Sequence, residues 1–371
     1  MSPLAPRPAT PLSTQDLTRI DDVRIKAVRP LITPALLEEW LPAPASAQTL
    51  VESSRVALSR VLHGQDDRLI VVVGPCSIHD HDQAMEYAQL LKKQADALAS
   101  ELLIVMRVYF EKPRTTVGWK GYINDPFMDD SFQVNVGMEK ARDFLLQVNE
   151  LGLPAGTEAL DPYGPQYYGD LIAWTAIGAR TTESQTHREM SSGLSTPVGF
   201  KNATSGDLTV ATNAILSASR PHSFLGLNNE GRVAIVRTTG NRHGHIVLRG
   251  GESGPNYDTV SIAMAEAAIA KAKLPANIVV DCSHANSSKK PELQPLVMAD
   301  VVNQIRAGNK SILGVMLESN IEAGNQSILA DLKQLKYGCS VTDGCIGWET
   351  TEKTIRDAAV LLRDVLPERL G

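Results

Sequence analysis

With 371 residues, 43% of them hydrophobic and 21% charged, the chain has the composition of an ordinary soluble globular protein. Its 36 basic and 42 acidic residues give a net charge of −6, which disfavours a nucleic-acid partner, and no run approaches the roughly 20 apolar residues of a membrane span. The four cysteines lack CxxC spacing, and the N-terminus lacks the basic-then-apolar order of a signal peptide. We therefore expect a reducing, cytoplasmic location without a membrane partner.

The first 66 residues are predicted to form an N-terminal extension with a mobile start, followed by elements for a subunit interface or regulation. Pro, Ser, Thr and Ala dominate up to about residue 16, and amphipathic segments cut by prolines begin at Asp21. A helix is predicted over Thr49–Leu62, directly ahead of the first core strand. Residues 67–371 are predicted to form a second domain.

In that second domain, short apolar runs alternate with segments of helical spacing. The predicted strands are Leu69–Val73, Leu102–Val108, Leu153–Gly156, Trp174–Ala179, Pro197–Phe200, His245–Leu248, Asn277–Val280 and Ile312–Leu317. The predicted helices are Asp82–Ala99, Met138–Leu151, Gln166–Ala173, Glu183–Ser192, Asp207–Ser219, Ser261–Ala272, Pro295–Ala307 and Thr350–Val365. Eight strands, each followed by a helix, predict an α/β fold, a single (β/α)8 TIM barrel. A doubly wound sheet is the alternative, but it usually has fewer strands and often a GxGxxG turn, which does not occur here.

Two connections are too long to be plain loops. Tyr109–Ser131 is rich in glycine, proline and charge. Residues 222–240 read as a β-hairpin inserted between the fifth helix and the sixth strand, with Ser223–Leu227 and Arg232–Thr238 flanking an Asn-Asn-Glu-Gly turn.

Functional side chains stand at or just past the end of every predicted strand. They are Cys76, Arg107, Glu158, Arg180, Lys201, Arg249, His284 and Glu318. A barrel brings its strand ends to one face, so this ring predicts an active site. Four members are cations, which predict a ligand with more than one acidic group. The alternative is that they form structural salt bridges with acids such as Glu158 and Glu183.

The other polar residues near the strand ends suit a metal ion and a second anionic ligand. Thiolate, imidazole and carboxylates from Cys76, His284, Glu318 and Asp343 form a mixed S/N/O set for a divalent transition metal, unless each plays an ordinary structural role. The EKPRTT segment contributes Lys112, Pro113, Arg114 and Thr115, which predict a second phosphate site unless the segment is a solvated basic loop.

Several motifs resemble one family. GPCSIHD, MRVYFEKPRTTVGWKG, GARTTESQ, VGFKN, LRGG, DCSHANSSK, ESNIEAGNQ and VTDGCIGWE are similar to those of type I 3-deoxy-D-arabino-heptulosonate 7-phosphate (DAHP) synthases, from about Asp21 to the C-terminus. The resemblance implies a shikimate-pathway enzyme that condenses phosphoenolpyruvate with D-erythrose 4-phosphate and water.

The resemblance also implies a role for each matching residue. One divalent ion (Mn, Fe, Co or Zn) would be held by Cys76, His284, Glu318 and Asp343. Phosphoenolpyruvate would bind among Arg107, Glu158, Ala179, Arg180, Lys201 and Arg249. Erythrose 4-phosphate would bind at Lys112, Pro113, Arg114 and Thr115. Lys112 is the candidate proton donor, and His284 or Glu158 would assist the water step.

Feedback control and assembly are implied in the same way. An aromatic amino acid would bind at Asp21, Asp22, Ile25, Pro165, Gln166, Ser195, Phe224 and Gly226, and the enzyme would be a homodimer or homotetramer. Glycine at position 226 resembles tyrosine-sensitive members, whereas DDVRIK resembles phenylalanine-sensitive ones. Tyrosine is the predicted inhibitor.

Three other interpretations remain open at the level of sequence. The chain could be a KDO 8-phosphate synthase-like enzyme, although the EKPRTT loop and the length favour the four-carbon acceptor. It could be a Schiff-base aldolase acting through Lys201, or a degenerate barrel that binds an effector. The intact strand-end ring disfavours the last of these.

Overall fold

The computed structural model describes residues 20–114 and 117–370. The chain divides into two compact units, Met1–Ile32 and Thr33–Gly371. In the first unit, the described residues include a turn in which the Ile25 amide donates to the Asp22 carbonyl over 3.1 Å. The functional boundary predicted at residue 66 stays a prediction.

The second unit alternates strands and helices in the predicted order. The strands are β1 (Leu69–Gly74), β2 (Leu102–Arg107), β3 (Ala155–Glu158), β4 (Trp174–Ile177), β5 (Val198–Lys201), β6 (Ser223–Leu227), β7 (Val233–Arg237), β8 (Gly244–Leu248), β9 (Ile278–Asp281) and β10 (Ile312–Glu318). The helices are α1 (Pro34–Trp40), α2 (Ala45–Leu62), α3 (His81–Ala97), α4 (Val134–Glu150), α5 (Pro165–Tyr168), α6 (Gln185–Ser191), α7 (Thr209–Ala218), α8 (Thr259–Lys271), α9 (Gln294–Arg306) and α10 (Trp348–Leu362). Short 3₁₀ helices lie at Gly169–Leu171, Pro291–Leu293, Leu332–Gln334 and Pro367–Leu370.

Eight of the strands close into a parallel barrel in the order β1-β10-β9-β8-β5-β4-β3-β2, while β6 and β7 form a separate antiparallel hairpin. The predicted (β/α)8 barrel with an inserted hairpin is confirmed. The helix predicted over Gln166–Ala173 is shorter in the structure, where α5 ends at Tyr168. The backbone leaves helical geometry at Tyr168 (φ −141°), ahead of Gly169, because glycine is a poor helix former. The chain continues there as a 3₁₀ turn.

Helix α2 covers the amino-terminal end of the barrel. Leu58, Val61 and Leu62 of α2 are buried in one cluster with the strand-start residues Leu103 and Leu313. The Asn277 side chain just ahead of β9 donates to the Leu62 carbonyl over 2.9 Å. With that end closed by apolar packing, the carboxyl ends of the strands are left to form a site.

Within the described residues, no helix is long and apolar enough to cross a membrane.

Candidate active site

The carboxyl ends of the barrel strands surround a cavity of about 470 Å³. Its lining includes these predicted site residues: Arg107, Lys112, Pro113, Arg114, Glu158, Ala179, Arg180, Lys201, Arg249, His284, Glu318 and Asp343. Cys76 lies beside them and is fully buried, and Thr115 lies outside the described residues. The strand-end ring thus converges on one place, as expected for a barrel.

Arg107, the last residue of β2, is held by three acceptors. Its guanidinium donates to the carbonyls of Pro75 and Cys76 and to Oε1 of Glu318, the last at 3.0 Å. It also lies 3.6 Å from the centroid of the Tyr109 ring. A fork fixed in this way is preorganised for an anion at its open edge.

Arg249 and Lys201, two further strand-end cations, differ in how their charge is compensated. Burial lowers the pKa of Arg249, and repulsion from Arg180 lowers it further, against the attraction of Asp281. Lys201 is different, because its Nζ donates to Oδ2 of Asp281 over 2.8 Å. The positive charges of Arg180 and Arg249 repel each other within the cavity, and an anionic ligand would relieve that repulsion. This favours the predicted anionic ligand over the alternative in which all strand-end cations form structural salt bridges.

Three of the four predicted metal-binding residues are brought together. The donor atoms of Cys76, Glu318 and Asp343 lie within 4.8 Å of one another, and this is the group of metal-ligating side chains found in the described part of the chain. His284 lies outside that group, on the wall of the same cavity. A thiolate and two carboxylates are a donor set that fits a divalent transition metal.

The Lys112 ammonium stands among these donors. Its Nζ is 2.9 Å from Sγ of Cys76 and 2.7 Å from Oδ2 of Asp343. Burial alone would raise the pKa of Asp343, but the ammonium holds it well below its ordinary value. Burial raises the pKa of the Cys76 thiol, and Glu318 raises it further. The carboxylates of Asp343 and Glu318 therefore favour a positive charge beside the Cys76 thiol.

The loop that carries Lys112 folds back on itself as a narrow ribbon. The Lys112 amide donates to the Lys120 carbonyl over 2.9 Å, and Nε of Arg114 donates to the Trp119 carbonyl over 2.7 Å. A Cβ at Gly121 would overlap the Phe110 carbonyl, and φ at Gly121 is +121°, so glycine is required there. These contacts direct Lys112 and Arg114 into the cavity.

Glu158 ends β3 and is 8% exposed. Its Oε1 is buried and has no hydrogen-bond partner among the described residues, which leaves an acceptor for a ligand or water. A Cβ on Gly178 would overlap this same oxygen. The absence of a side chain at Gly178 therefore makes room for the Glu158 carboxylate.

Asp281 and Gln294 are site residues that sequence reasoning missed. Asp281 is fully buried and contacts both Lys201 and His284. Gln294 is also fully buried, and its amide accepts from the Glu318 N–H over 2.8 Å and donates to the Glu318 carbonyl over 2.9 Å. An aspartate that ends the apolar run IVVD was a readable signal for Asp281, whereas Gln294 had none.

The predicted effector residues of the second unit fall in two places. Pro165, Gln166 and Ser195 line a separate cavity of about 430 Å³. Phe224 and Gly226 lie on β6 of the hairpin. Asp21, Asp22 and Ile25 belong to the first unit.

Fold and cavity together define the protein as a (β/α)8-barrel enzyme with a polycationic site beside a thiolate–carboxylate donor set. The DAHP synthetase I family model matches residues 43–356. A Tyr-sensitive phospho-2-dehydro-3-deoxyheptonate aldolase of Salmonella typhimurium is 52% identical over 338 residues, covering 91% of this chain and 95% of that protein. The chain belongs to the DAHP synthetase I family, so the predicted enzyme class is confirmed.

Two further relatives agree. A Phe-sensitive phospho-2-dehydro-3-deoxyheptonate aldolase of Escherichia coli is 54% identical over 339 residues, 91% of this chain and 96% of that protein. The solved structure of phospho-2-dehydro-3-deoxyheptonate aldolase from Francisella tularensis superimposes with a TM-score of 0.89 at 48% identity, covering 91% of this chain and 98% of that one.

Proposed function

We propose that this enzyme condenses phosphoenolpyruvate with D-erythrose 4-phosphate and water to give DAHP and inorganic phosphate, in a metal-dependent reaction of the cytoplasm. The observation that carries the proposal is a single cavity lined by the strand-end cations Arg107, Arg180, Lys201 and Arg249 and by Lys112 and Arg114 of the loop after β2. Two cationic groups beside a metal donor set suit two phosphorylated substrates that must meet.

Phosphoenolpyruvate is proposed to bind at the strand-end cations. Its carboxylate and phosphate offer paired oxygens that match guanidinium forks, and the buried ammonium of Lys201 adds a point charge. Glu158 and Ala179 line the same part of the cavity. Erythrose 4-phosphate is proposed to place its phosphate at Arg114, Pro113 and Thr115, and its aldehyde beside Lys112.

The proposed metal-binding residues are Cys76, His284, Glu318 and Asp343. When bound there, a divalent ion supplies Lewis acidity toward a carbonyl oxygen. The close grouping of three of these donor atoms, and the ammonium that stands beside two of them, support a cation at this position.

The proposed reaction forms one carbon–carbon bond and releases one phosphate. C3 of phosphoenolpyruvate attacks the aldehyde carbon, and the aldehyde oxygen takes a proton, for which Lys112 is the proposed donor. A water oxygen adds to C2 and passes one proton to Glu158, whose Oε1 has no hydrogen-bond partner among the described residues. The bond from C2 to the phosphate oxygen then breaks, and the proton of the new C2 hydroxyl goes to the departing phosphate, leaving the C2 ketone and inorganic phosphate. The cations hold both substrates in register throughout.

We further propose that tyrosine inhibits the enzyme and that it works as a homodimer or homotetramer. The Salmonella relative named Tyr-sensitive supports this choice, and glycine at position 226 leaves β6 without a side chain there. The added bulk of serine at position 226 would reduce the space for a phenolic hydroxyl. Tyrosine should therefore inhibit the wild type more strongly than equimolar phenylalanine does, and Gly226→Ser should weaken that preference. Stronger inhibition by phenylalanine would refute the assignment.

The acceptor is tested by comparing two aldoses. With erythrose 4-phosphate and phosphoenolpyruvate, mass spectrometry should detect DAHP, and arabinose 5-phosphate should give at least tenfold slower turnover. Faster turnover of the five-carbon sugar would favour a KDO 8-phosphate synthase-like activity instead.

A further inference from the structure

Asp281 is a buried carboxylate that contacts two residues of the cavity lining, Lys201 and His284. It ends β9 and is fully buried. Its Oδ2 accepts from Nζ of Lys201 at 2.8 Å and lies 2.9 Å from Nδ1 of His284. Its Oδ1 accepts from the amide of Ser283 at 3.0 Å and from the Ser283 hydroxyl at 2.6 Å. Both carboxylate oxygens are thus committed to donors.

This network determines which nitrogen of His284 carries the hydrogen. The Ser283 hydroxyl has one hydrogen and gives it to Asp281, so toward Nδ1 of His284, 2.7 Å away, it can only accept. The Asp281 carboxylate can also only accept while it is ionised. Nζ of Lys201 at 2.8 Å and the Ser283 amide at 3.0 Å both donate to this carboxylate, and donors on both of its oxygens favour the ionised form. Nδ1 therefore carries a hydrogen, which in the neutral imidazole leaves the lone pair on Nε2.

The backbone at His284 needs such support. Its φ is +58°, a left-handed conformation that is uncommon for a residue other than glycine. The His284 carbonyl accepts from the Lys289 amide at 2.7 Å, which closes the turn from the other side. A strained residue held by contacts on both sides is a common feature of functional sites.

We propose that Asp281 is a positioning residue that holds His284 in the orientation and tautomer with Nε2 available to the cavity, and that it ties this imidazole to the anion-binding Lys201. The inference rests on the proposed function in taking His284 as a metal-binding residue. A carboxylate on the far nitrogen of a metal-binding histidine fixes its ring and raises its basicity. Because Oδ2 of Asp281 contacts both Nζ of Lys201 and Nδ1 of His284, a substitution at Asp281 should affect the positions of both side chains.

The test is Mn²⁺ binding to the full-length protein, followed by electron paramagnetic resonance without either substrate. The side-chain amide of Asp281→Asn can be oriented in two ways. In one its NH₂ group faces Lys201 and His284, and in the other it faces Ser283, so it meets a hydrogen-bond donor in both. Mn²⁺ affinity should fall by about 10- to 100-fold. Asp258→Asn is the matched control, because Asp258 caps α8 outside the cavity lining, and its affinity should stay within threefold of wild type.

A double-mutant cycle separates positioning from a general structural role. In a His284→Gln background, Asp281→Asn should weaken Mn²⁺ binding by less than threefold, since the group it positions is gone. An equal loss in both backgrounds, or a loss below threefold in folded Asp281→Asn, would overturn the proposal. If Asp281→Asn is unfolded by circular dichroism, Ser283→Ala takes its place, with an expected three- to tenfold loss that also vanishes with His284→Gln. Undiminished loss in that background would equally overturn it.

The proposed function fails or stands separately from this inference. If wild-type protein binds Mn²⁺ and obeys the cycle but releases no phosphate from phosphoenolpyruvate, the role of Asp281 stands and the reaction is wrong.

Discussion

The guanidinium of Arg107 donates to Oε1 of Glu318 over 3.0 Å, and both side chains are 2% exposed. This pair joins Arg107, a cation proposed to bind phosphoenolpyruvate, directly to Glu318, a carboxylate proposed to bind the metal. Two charges buried this deeply depend on each other, because removing one leaves the other without compensation in a poorly solvating interior.

Arg107→Met should therefore lower the free energy of unfolding by about 3–5 kcal/mol, since it leaves the Glu318 carboxylate uncompensated. The double variant Arg107→Met/Glu318→Gln should be more stable than Arg107→Met alone, because no buried charge is left unpaired. Urea unfolding in the presence of a chelator measures both without a contribution from bound metal. Strictly additive losses would show that the pair is not coupled.

Gly178→Ala should slow the reaction without unfolding the barrel. The new Cβ would overlap Oε1 of Glu158 and displace the carboxylate from the cavity. We expect kcat to fall by about 100-fold or more, since a general acid–base group contributes about 10²- to 10⁴-fold. Gly169→Ala is the control, because a Cβ there meets nothing within 4 Å, and it should retain wild-type kcat. Equal activity of the two variants would argue against a role for Glu158.

The interior of the barrel contains a histidine that should make stability depend on pH. Trp174 donates through Nε1 to Nε2 of His245 at 3.1 Å, and burial lowers the pKa of His245 from 6.5 to about 4. A histidine with a depressed pKa binds fewer protons in the folded than in the unfolded chain. Its contribution to stability is therefore complete above about pH 6.5 and is lost as the pH falls toward 4.

His245→Gln removes this dependence while keeping an acceptor for Trp174. The stability advantage of wild type over His245→Gln should shrink by about 2 kcal/mol between pH 7 and pH 4.5. Urea unfolding of both proteins across this range gives the difference, in which the titration of the other groups cancels. If the difference in free energy of unfolding between the two proteins did not change with pH, His245 would have the same pKa in the folded and the unfolded chain.

The barrel and the ring of strand-end residues were predictable because they depend on local patterns. Buried parallel strands read as continuous apolar runs, and closure brings their carboxyl ends together whatever the loops do. Arg107, Lys201 and Glu318 could thus be placed in one cavity from their positions alone.

What could not be predicted depends on contacts between distant segments. The position of Lys112 between Cys76 and Asp343 requires the loop after β2 to fold back over the barrel. The sequence at the end of that strand indicates His284 as its functional residue, and nothing in it shows that Asp281, three residues earlier, contacts that imidazole. The dependence of Glu158 on Gly178 is a matter of packing, and no spacing in the sequence reveals it.

The central claim is that this barrel joins phosphoenolpyruvate to erythrose 4-phosphate with the help of a bound divalent metal. The most direct measurement is phosphate release from phosphoenolpyruvate on addition of erythrose 4-phosphate, before and after treatment with a chelator and after addition of Mn²⁺. Release should require the sugar phosphate, be lost on chelation and return with Mn²⁺, and Cys76→Ala should abolish it while the barrel stays folded. Absence of phosphate release from the wild-type protein in excess Mn²⁺ would contradict it.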